Sequence, residues 1–202
     1  LDGAIYEVVD VKKTIAKTHA PAPFTTSSMQ QDALNKLGMS LKQTTQTAQE
    51  LYEGVTIEGE GKVALVTYIR TDSVRVSADA QKNAREYIFA KYGEKYVPAK
   101  PNVYASKKGA QDAHEAIRPI TLERTPESIK DVVSASCYKL YKLIYERFLA
   151  SQMTEAEYSS VSVTFDCKDY GFKVNGKTME FPGYTAVYKE YVEEENKEGM
   201  AG

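Results

Sequence analysis

The sequence predicts an α+β protein in which a helical block, residues 23–152, is inserted between the two halves of a β-rich domain, residues 1–22 and 153–202. Three observations predict it. Residues 5–19 carry Ile5, Val8, Val9, Val11, Thr14, Ile15 and Thr18 with no helix cap, which is strand composition. The middle of the chain holds capped apolar runs at helical spacing. After Met153 the apolar period falls to two, as in a strand with one face covered.

Each element follows from local chemistry. Ala20-Pro21-Ala22-Pro23 ends the first strand, because proline brings no N–H donor. Thr25 to Ser28 offer N-caps to a helix through Lys36, closed by Gly38. Ser40 caps a second helix, with Leu41, Thr44, Thr45, Ala48, Leu51 and Tyr52 along its apolar side and Gly54 as its stop. Two short helices on a glycine turn, followed by a strand, have the order of a helix-turn-helix or winged-helix core. Glu58-Gly59-Glu60-Gly61 is a turn into an apolar strand-like run at 63–67. Ser77 caps a helix over 78–92, ended by Gly93. Residues 97–109, with two prolines and a Lys-Lys-Gly, read as an exposed loop, and 112–117 as a short helix stopped by Pro119. Thr125-Pro126 opens another helix with proline at its first position. A long helix spans about 134–152, with Tyr138, Tyr141, Ile144, Phe148 and Leu149 facing the core. Residues 158–165 alternate as a half-buried strand, and Asn175-Gly176 predicts a two-residue hairpin turn.

Composition bounds the class. At 202 residues the chain can bury a core as one domain or two. It has 42% apolar and 27% charged residues, ordinary for a globular protein. No apolar stretch approaches the roughly 20 residues of a membrane span, and no secretory signal opens the chain. Cys137 and Cys167 stand apart without CxxC spacing, which indicates neither a zinc site nor a disulfide framework and leaves a reducing cytoplasm as the expectation. Leu1 is no initiator Met, and the start in mid-strand reads as a piece of a longer protein. A net charge of −2 does not suit a simple nucleic-acid module. Its distribution does better: residues 61–110 hold ten basic residues, Lys107 and Lys108 among them, against four acids, a local +6. From Ala186 onward the tail is locally −3.

The chemistry concentrates at Tyr68. Along an extended segment, side chains at i and i+2 share a face, so Tyr68 and Arg70 converge. A planar fork of donors beside an oxygen nucleophile suits a phosphate. Spacing alone favours a half-buried strand tyrosine beside an arginine in a surface ion pair.

The surrounding words narrow the choice. Tyr68-Ile69-Arg70-Thr71-Asp72-Ser73 resembles the active-site box of type IA DNA topoisomerases, which cut one DNA strand through a 5′-phosphotyrosine. Upstream, Pro23-Phe24-Thr25-Thr26-Ser27-Ser28-Met29-Gln30-Gln31 runs into Lys36-Leu37-Gly38 and Ala48-Gln49-Glu50-Leu51-Tyr52-Glu53-Gly54, and these match the same family in the same order. Downstream, Asp112-Ala113-His114-Glu115-Ala116-Ile117-Arg118-Pro119 matches as well. The resemblance extends more loosely from about residue 5 to about 192, and is closer to the bacterial topoisomerase I branch than to topoisomerase III or reverse gyrase.

The resemblance implies a helical domain bearing the tyrosine, carried on a β-rich gate domain. It implies that Tyr68 is the nucleophile, that Arg70 holds the scissile phosphate, and that His114 contacts the phosphodiester or moves a proton. Arg70, Asp72, Ser73 and Arg118 are the candidate DNA contacts. Asp72 and Ser73 also suit orienting Arg70 or capping the next turn, and Glu115 and Arg118 suit pairing with each other. His114-Glu115-x-x-Arg118 is not a zincin motif, because Arg stands where the second His is required. The 25–31 box is explained in large part by helix capping and carries no assigned chemistry. A tyrosine phenol is only about 0.1% ionised at pH 7, a handicap of about 4 kcal/mol that a site must offset with positive charge or a base. No metal ligands are expected in this chain. The family's catalytic acids, which carry Mg²⁺, lie in an N-terminal domain not contained in this sequence, and part of the single-strand groove lies on another domain. Expected partners are therefore a single-stranded segment of underwound DNA and those domains, in the bacterial cytoplasm at the nucleoid and with no membrane. The 202 residues alone are not expected to complete cleavage, passage and resealing. The alternative is a non-catalytic winged-helix DNA-binding module with Tyr68 in its core, and a third reading is an interaction domain without DNA.

Overall fold

The computed structural model describes residues 5–105, 114–167 and 170–189. In chain order they form β1 (Glu7–Thr18), α1 (Thr26–Leu37), α2 (Leu41–Glu53), β2 (Val55–Ile57), β3 (Gly61–Val63), α3 (Ala78–Tyr92), α4 (Pro126–Ile129), α5 (Ala135–Ser151), β4 (Ala156–Cys167) and β5 (Tyr170–Phe181). β1 pairs antiparallel with β4, and β4 with β5, so strands from both sides of the helices meet in one sheet. β2 and β3 form a separate two-stranded hairpin after α1 and α2. The fold is α+β, with helices and antiparallel sheets. None of the described helices is long and apolar enough to cross a membrane.

The helix ends are fixed by the residues that cap them. Thr25 and Ser28 form a capping box on α1, and Gly38 closes it in the left-handed region at φ 64°. Ser40, Ser77 and Ser134 accept from the backbone N–H of Gln43, Ala80 and Cys137, starting α2, α3 and α5. Gly54 sits at φ 114°, where a Cβ would lie 2.9 Å from Lys62 Cγ and 3.1 Å from the Val63 carbonyl carbon, so the turn from α2 into β2 requires glycine.

α5 is the core helix. Leu140, Tyr141, Ile144, Phe148 and Leu149 are buried with Met29 and Ala33 of α1 and Ala48 and Leu51 of α2. The Tyr141 hydroxyl donates to the Arg124 carbonyl at 2.6 Å, and that of Tyr145 to the Leu122 carbonyl at 2.7 Å. Burial raises both phenols above the ordinary tyrosine value. Tyr138, one turn earlier, is only half-buried, and its hydroxyl donates to Glu127 at 2.7 Å.

Several local expectations are corrected. α2 buries Thr44, Thr47, Ala48 and Leu51, while Leu41 and Thr45 face out. The 44/47/48/51 stripe, not its 41/45/52 neighbour, meets α5. The run at 63–67 leaves the ladder after Val63; only Val66 pairs again, as an isolated bridge with Pro119. Residues 114–117 form no helix, because their backbone donors are used elsewhere: Ala116 N–H to the Arg75 carbonyl and Ile117 N–H to that of Phe24, both at 2.8 Å. Asp112 and the 106–109 end of the predicted loop lie outside the described residues, as does the acidic tail from 190. β5 runs straight through Asn175 and Gly176, which pair with Ser162 and Val161. The ladder extends to the Cys167–Tyr170 pair, and its length overrides the Asn-Gly turn preference. In β4 the middle residues, 160–165, are half-buried on both faces instead of alternating.

The joint between sheet and helices is densely tied. Asn102 Nδ2 donates to the Ser151 and Met153 carbonyls at 3.0 and 2.9 Å. The Tyr104 hydroxyl reaches the Ser151 and Ala20 carbonyls at 2.9 and 3.1 Å, and burial pushes its pKa up to about 12. These two side chains give the predicted exposed loop a structural role. Gly183, at φ 50°, packs so closely that a Cβ would strike the Thr154 and Glu155 carbonyls.

Candidate active site

Three stretches distant in sequence are stitched together around Tyr68. Thr67 N–H donates to the Arg118 carbonyl at 3.0 Å, and Ile120 N–H to the Leu65 carbonyl at 3.0 Å, flanking the Val66–Pro119 bridge. The Thr67 hydroxyl donates to the Ala116 carbonyl at 2.9 Å and accepts from Arg118 N–H at 3.0 Å. On the other side, Thr26 ties the first turn of α1 to the 69–71 backbone. Its hydroxyl donates to the Ile69 carbonyl at 2.7 Å and accepts from Thr71 N–H at 2.9 Å, while its own N–H donates to the Thr71 carbonyl at 2.9 Å.

Pinned this way, residues 68–73 have no strand partner and bend at Ile69 and Arg70, and their side chains alternate in exposure. Ile69, Thr71 and Ser73 are buried; Tyr68, Arg70 and Asp72 are exposed. Tyr68 and Arg70 therefore open to the same side, as their i, i+2 spacing predicts, although the strand has ended and the backbone bends between them. Tyr68, Arg70, Asp72 and His114 line one open cavity of about 500 Å³ with Thr26, Ser27, Gln30 and Thr71. The Tyr68 ring lies 5.3 Å from the His114 ring and 5.5 Å, edge-on, from that of Tyr52. Tyr68 is 39% exposed. Among the described residues, the Tyr68 hydroxyl, the Arg70 guanidinium and the His114 imidazole make no hydrogen bond or ion pair with protein groups.

Two candidate contacts lie elsewhere. Ser73 is fully buried, and its hydroxyl accepts from Arg75 N–H at 3.1 Å while Thr71 Oγ1 accepts from Ser73 N–H at 3.0 Å. Its hydroxyl serves the backbone of the segment leading to α3, not the exposed face, because an even step from Ile69 puts it inside. Arg118 lines a different cavity, of about 560 Å³, beside the first turn of α3. Its guanidinium donates to Glu115 at 2.9 Å, the pairing expected from the sequence, and to the Pro119 carbonyl at 3.1 Å. Glu115 also accepts from Ser77 N–H at 2.6 Å. Burial raises the Glu115 carboxyl, but the Arg118 and Ser77 hydrogen bonds outweigh it and leave the pKa below the ordinary value. Glu115 and Arg118 thus brace the start of α3 and the backbone next to His114.

Sequence reasoning gave no chemistry to Thr26, Ser27 and Gln30 and set Tyr52 on a core face. The one signal for them was that the 25–31 and 48–54 boxes accompany the tyrosine box. Among the described residues no three His, Cys, Asp or Glu side chains converge as a metal site, and Asp72 is the single carboxylate lining the Tyr68 cavity.

Comparison with known proteins agrees with this geometry. A family model described as DNA topoisomerase matches residues 1–201. The structure of full-length topoisomerase I from Thermotoga maritima superposes with a TM-score of 0.80 at 39% identity over 93% of this chain. The chain spans 30% of the length of that protein. With the family model covering all but the last residue, the chain belongs to the bacterial type IA DNA topoisomerases.

Proposed function

We propose that Tyr68 is the nucleophile of DNA strand cleavage and that Arg70 and His114 serve the same phosphodiester. One observation carries the reading: an exposed phenol, a guanidinium and an imidazole, each without a protein partner among the described residues, line a single open cavity. The Tyr68 oxygen attacks phosphorus, the Oη–P bond forms and the P–O3′ bond breaks. The 3′ oxygen leaves with a proton and the phenolic proton goes to a base or to water. The 5′-phosphotyrosyl ester keeps the energy of the broken bond, and the reverse attack reseals the strand. Arg70, as a bidentate donor, neutralises charge growing on the non-bridging oxygens. His114, stacked near the Tyr68 ring, is placed for phosphate contact or proton transfer, and Asp72 borders the path of the strand.

On this reading residues 23–152 form the tyrosine-bearing domain, and 1–22 with 153–202 belong to the β-rich gate domain. The acidic Mg²⁺-binding cluster and the rest of the single-strand groove are supplied from outside these 202 residues, in a bacterial cytoplasmic enzyme acting on underwound DNA. Supercoil relaxation by the purified 202-residue chain alone would refute that division. In a full-length enzyme containing this chain, Tyr68→Phe should abolish the covalent DNA adduct without loss of fold. An adduct that persists excludes Tyr68. The winged-helix reader with a core tyrosine is not favoured, because the Tyr68 side chain opens to solvent.

A further inference from the structure

α1 links the Tyr68 cavity to a second feature at its far end. Ser27 and Gln30 line the Tyr68 cavity, and Leu37 lines a groove of about 350 Å³ formed with α5 and residues 187–189. Residues 27, 30, 34 and 37 fall on one helical stripe. Leu34, between the two sites, is 54% exposed with nothing packed over it among the described residues. The only carboxylate of α1, Asp32, is turned away to Arg147 at 3.3 Å and to the Tyr188 hydroxyl. The stripe is therefore free of negative charge and about 15 Å long, roughly four backbone repeats of a nucleic-acid strand at duplex spacing.

The groove at its end is rimmed by Lys36, Lys139, Lys142 and Lys189, with Glu146 as the single acid among the described residues. Lys36 is held over the Tyr188 ring at 3.3 Å and donates to the Lys189 carbonyl. Lys142 is 3.7 Å from Glu146, and Lys139 has no ion pair or hydrogen bond among the described residues. Leu37, Leu143 and Val187 supply an apolar floor. In a chain of net charge −2, four ammonium groups against one carboxylate among the described residues are a local concentration of positive charge.

We propose that this groove is a second contact for the nucleic-acid backbone, reached by a strand that leaves the Tyr68 cavity along the Ser27–Gln30–Leu34–Leu37 stripe of α1. The inference rests on the reading of the Tyr68 cavity as a DNA site. The lysines neutralise phosphates about four nucleotides from the one at Tyr68, and the apolar floor accommodates a base or sugar.

The test is fluorescence-anisotropy titration of the 202-residue chain with oligothymidylates of about two and about twelve nucleotides, at several salt concentrations. Lys139→Gln/Lys142→Gln should weaken the longer oligomer by on the order of tenfold and flatten its log–log salt slope by about 1.4, two phosphate contacts at about 0.7 each. The shorter oligomer and the thermal unfolding curve should not change. Arg70→Ala should weaken both oligomers. If Arg70→Ala acts on both while the lysine variant binds the longer one as wild type does, the groove contact is wrong and the Tyr68 reading stands. If neither variant changes anything, or the unaltered chain binds no oligomer at about 20 mM salt, both are wrong. Loss of binding to a polyglutamate peptide with unchanged oligonucleotide affinity would assign the groove to an acidic protein segment and overturn the proposal.

Discussion

Two groups of tyrosines in this chain have opposite fates. Tyr141 and Tyr145 are buried on α5, and each spends its hydroxyl on a backbone carbonyl of the 122–124 segment. Tyr68 is part-exposed; its hydroxyl has no partner among the described residues, but the backbone around it is saturated by Thr26, Thr67 and the 116–120 segment. In the core the side chain holds the backbone. At the candidate site the backbone is held by others and the polar side chains are left available. That is how a preorganised site differs from a stabilising one: the cost of ordering the functional groups has been met by their neighbours.

Substitutions can break this contrast, and the largest effect is expected at Tyr68. Tyr68→Phe should eliminate adduct formation in the full-length enzyme, yet shift the unfolding free energy by no more than about 0.5 kcal/mol. Phe148→Ala should do the reverse, costing about 3–5 kcal/mol in urea unfolding by opening a cavity at the α5 core. Arg70→Lys should lower the cleavage rate on the order of 100-fold with stability unchanged, since an ammonium cannot reproduce the fork. Near-wild-type cleavage by that variant would remove Arg70 from the bidentate role.

Smaller effects test the scaffold. Thr26→Val leaves the Thr71 N–H and Ile69 carbonyl without their partner and should cost about 1–3 kcal/mol. It should also slow cleavage, because the segment carrying Tyr68 and Arg70 loosens. A stability loss with full cleavage activity would show that the clamp does not position the site. Glu115 gives the smallest effect, read against pH. Its folded pKa is depressed, so its contribution is complete above the unfolded value, near 4.5, and is lost as pH falls through the folded one. Glu115→Gln should therefore flatten the acid limb of the stability–pH curve and leave the neutral region parallel to wild type.

Much of this architecture was legible in the sequence where one local rule governs. Thr25, Ser40, Ser77 and Ser134 start helices because a side-chain oxygen meets the first free N–H groups, and Gly38 and Gly93 end them. The legible part of the site was the side shared by Tyr68 and Arg70, which follows from their i, i+2 spacing. What failed was whatever a distant partner decides. Asn175-Gly176 has strong turn chemistry, but β4 offers it a continuous ladder. Residues 114–117 carry helix-compatible side chains, but Phe24 and Arg75 take their backbone bonds. Ser73 belongs to the right box, but parity along the chain sends it inward, and Arg118 is drawn off by Glu115. Thr26, Ser27 and Gln30 came to the site through tertiary packing of α1, which no spacing rule in the sequence encodes.

The most direct measurement of the central claim is peptide mapping of the covalent complex. Full-length enzyme containing this chain would be trapped on single-stranded DNA, digested and sequenced by mass spectrometry. The account predicts a nucleotide joined through its 5′-phosphate to the hydroxyl of Tyr68. A nucleotide found instead on Tyr52, whose ring stands 5.5 Å from that of Tyr68, or on any other residue, would contradict it.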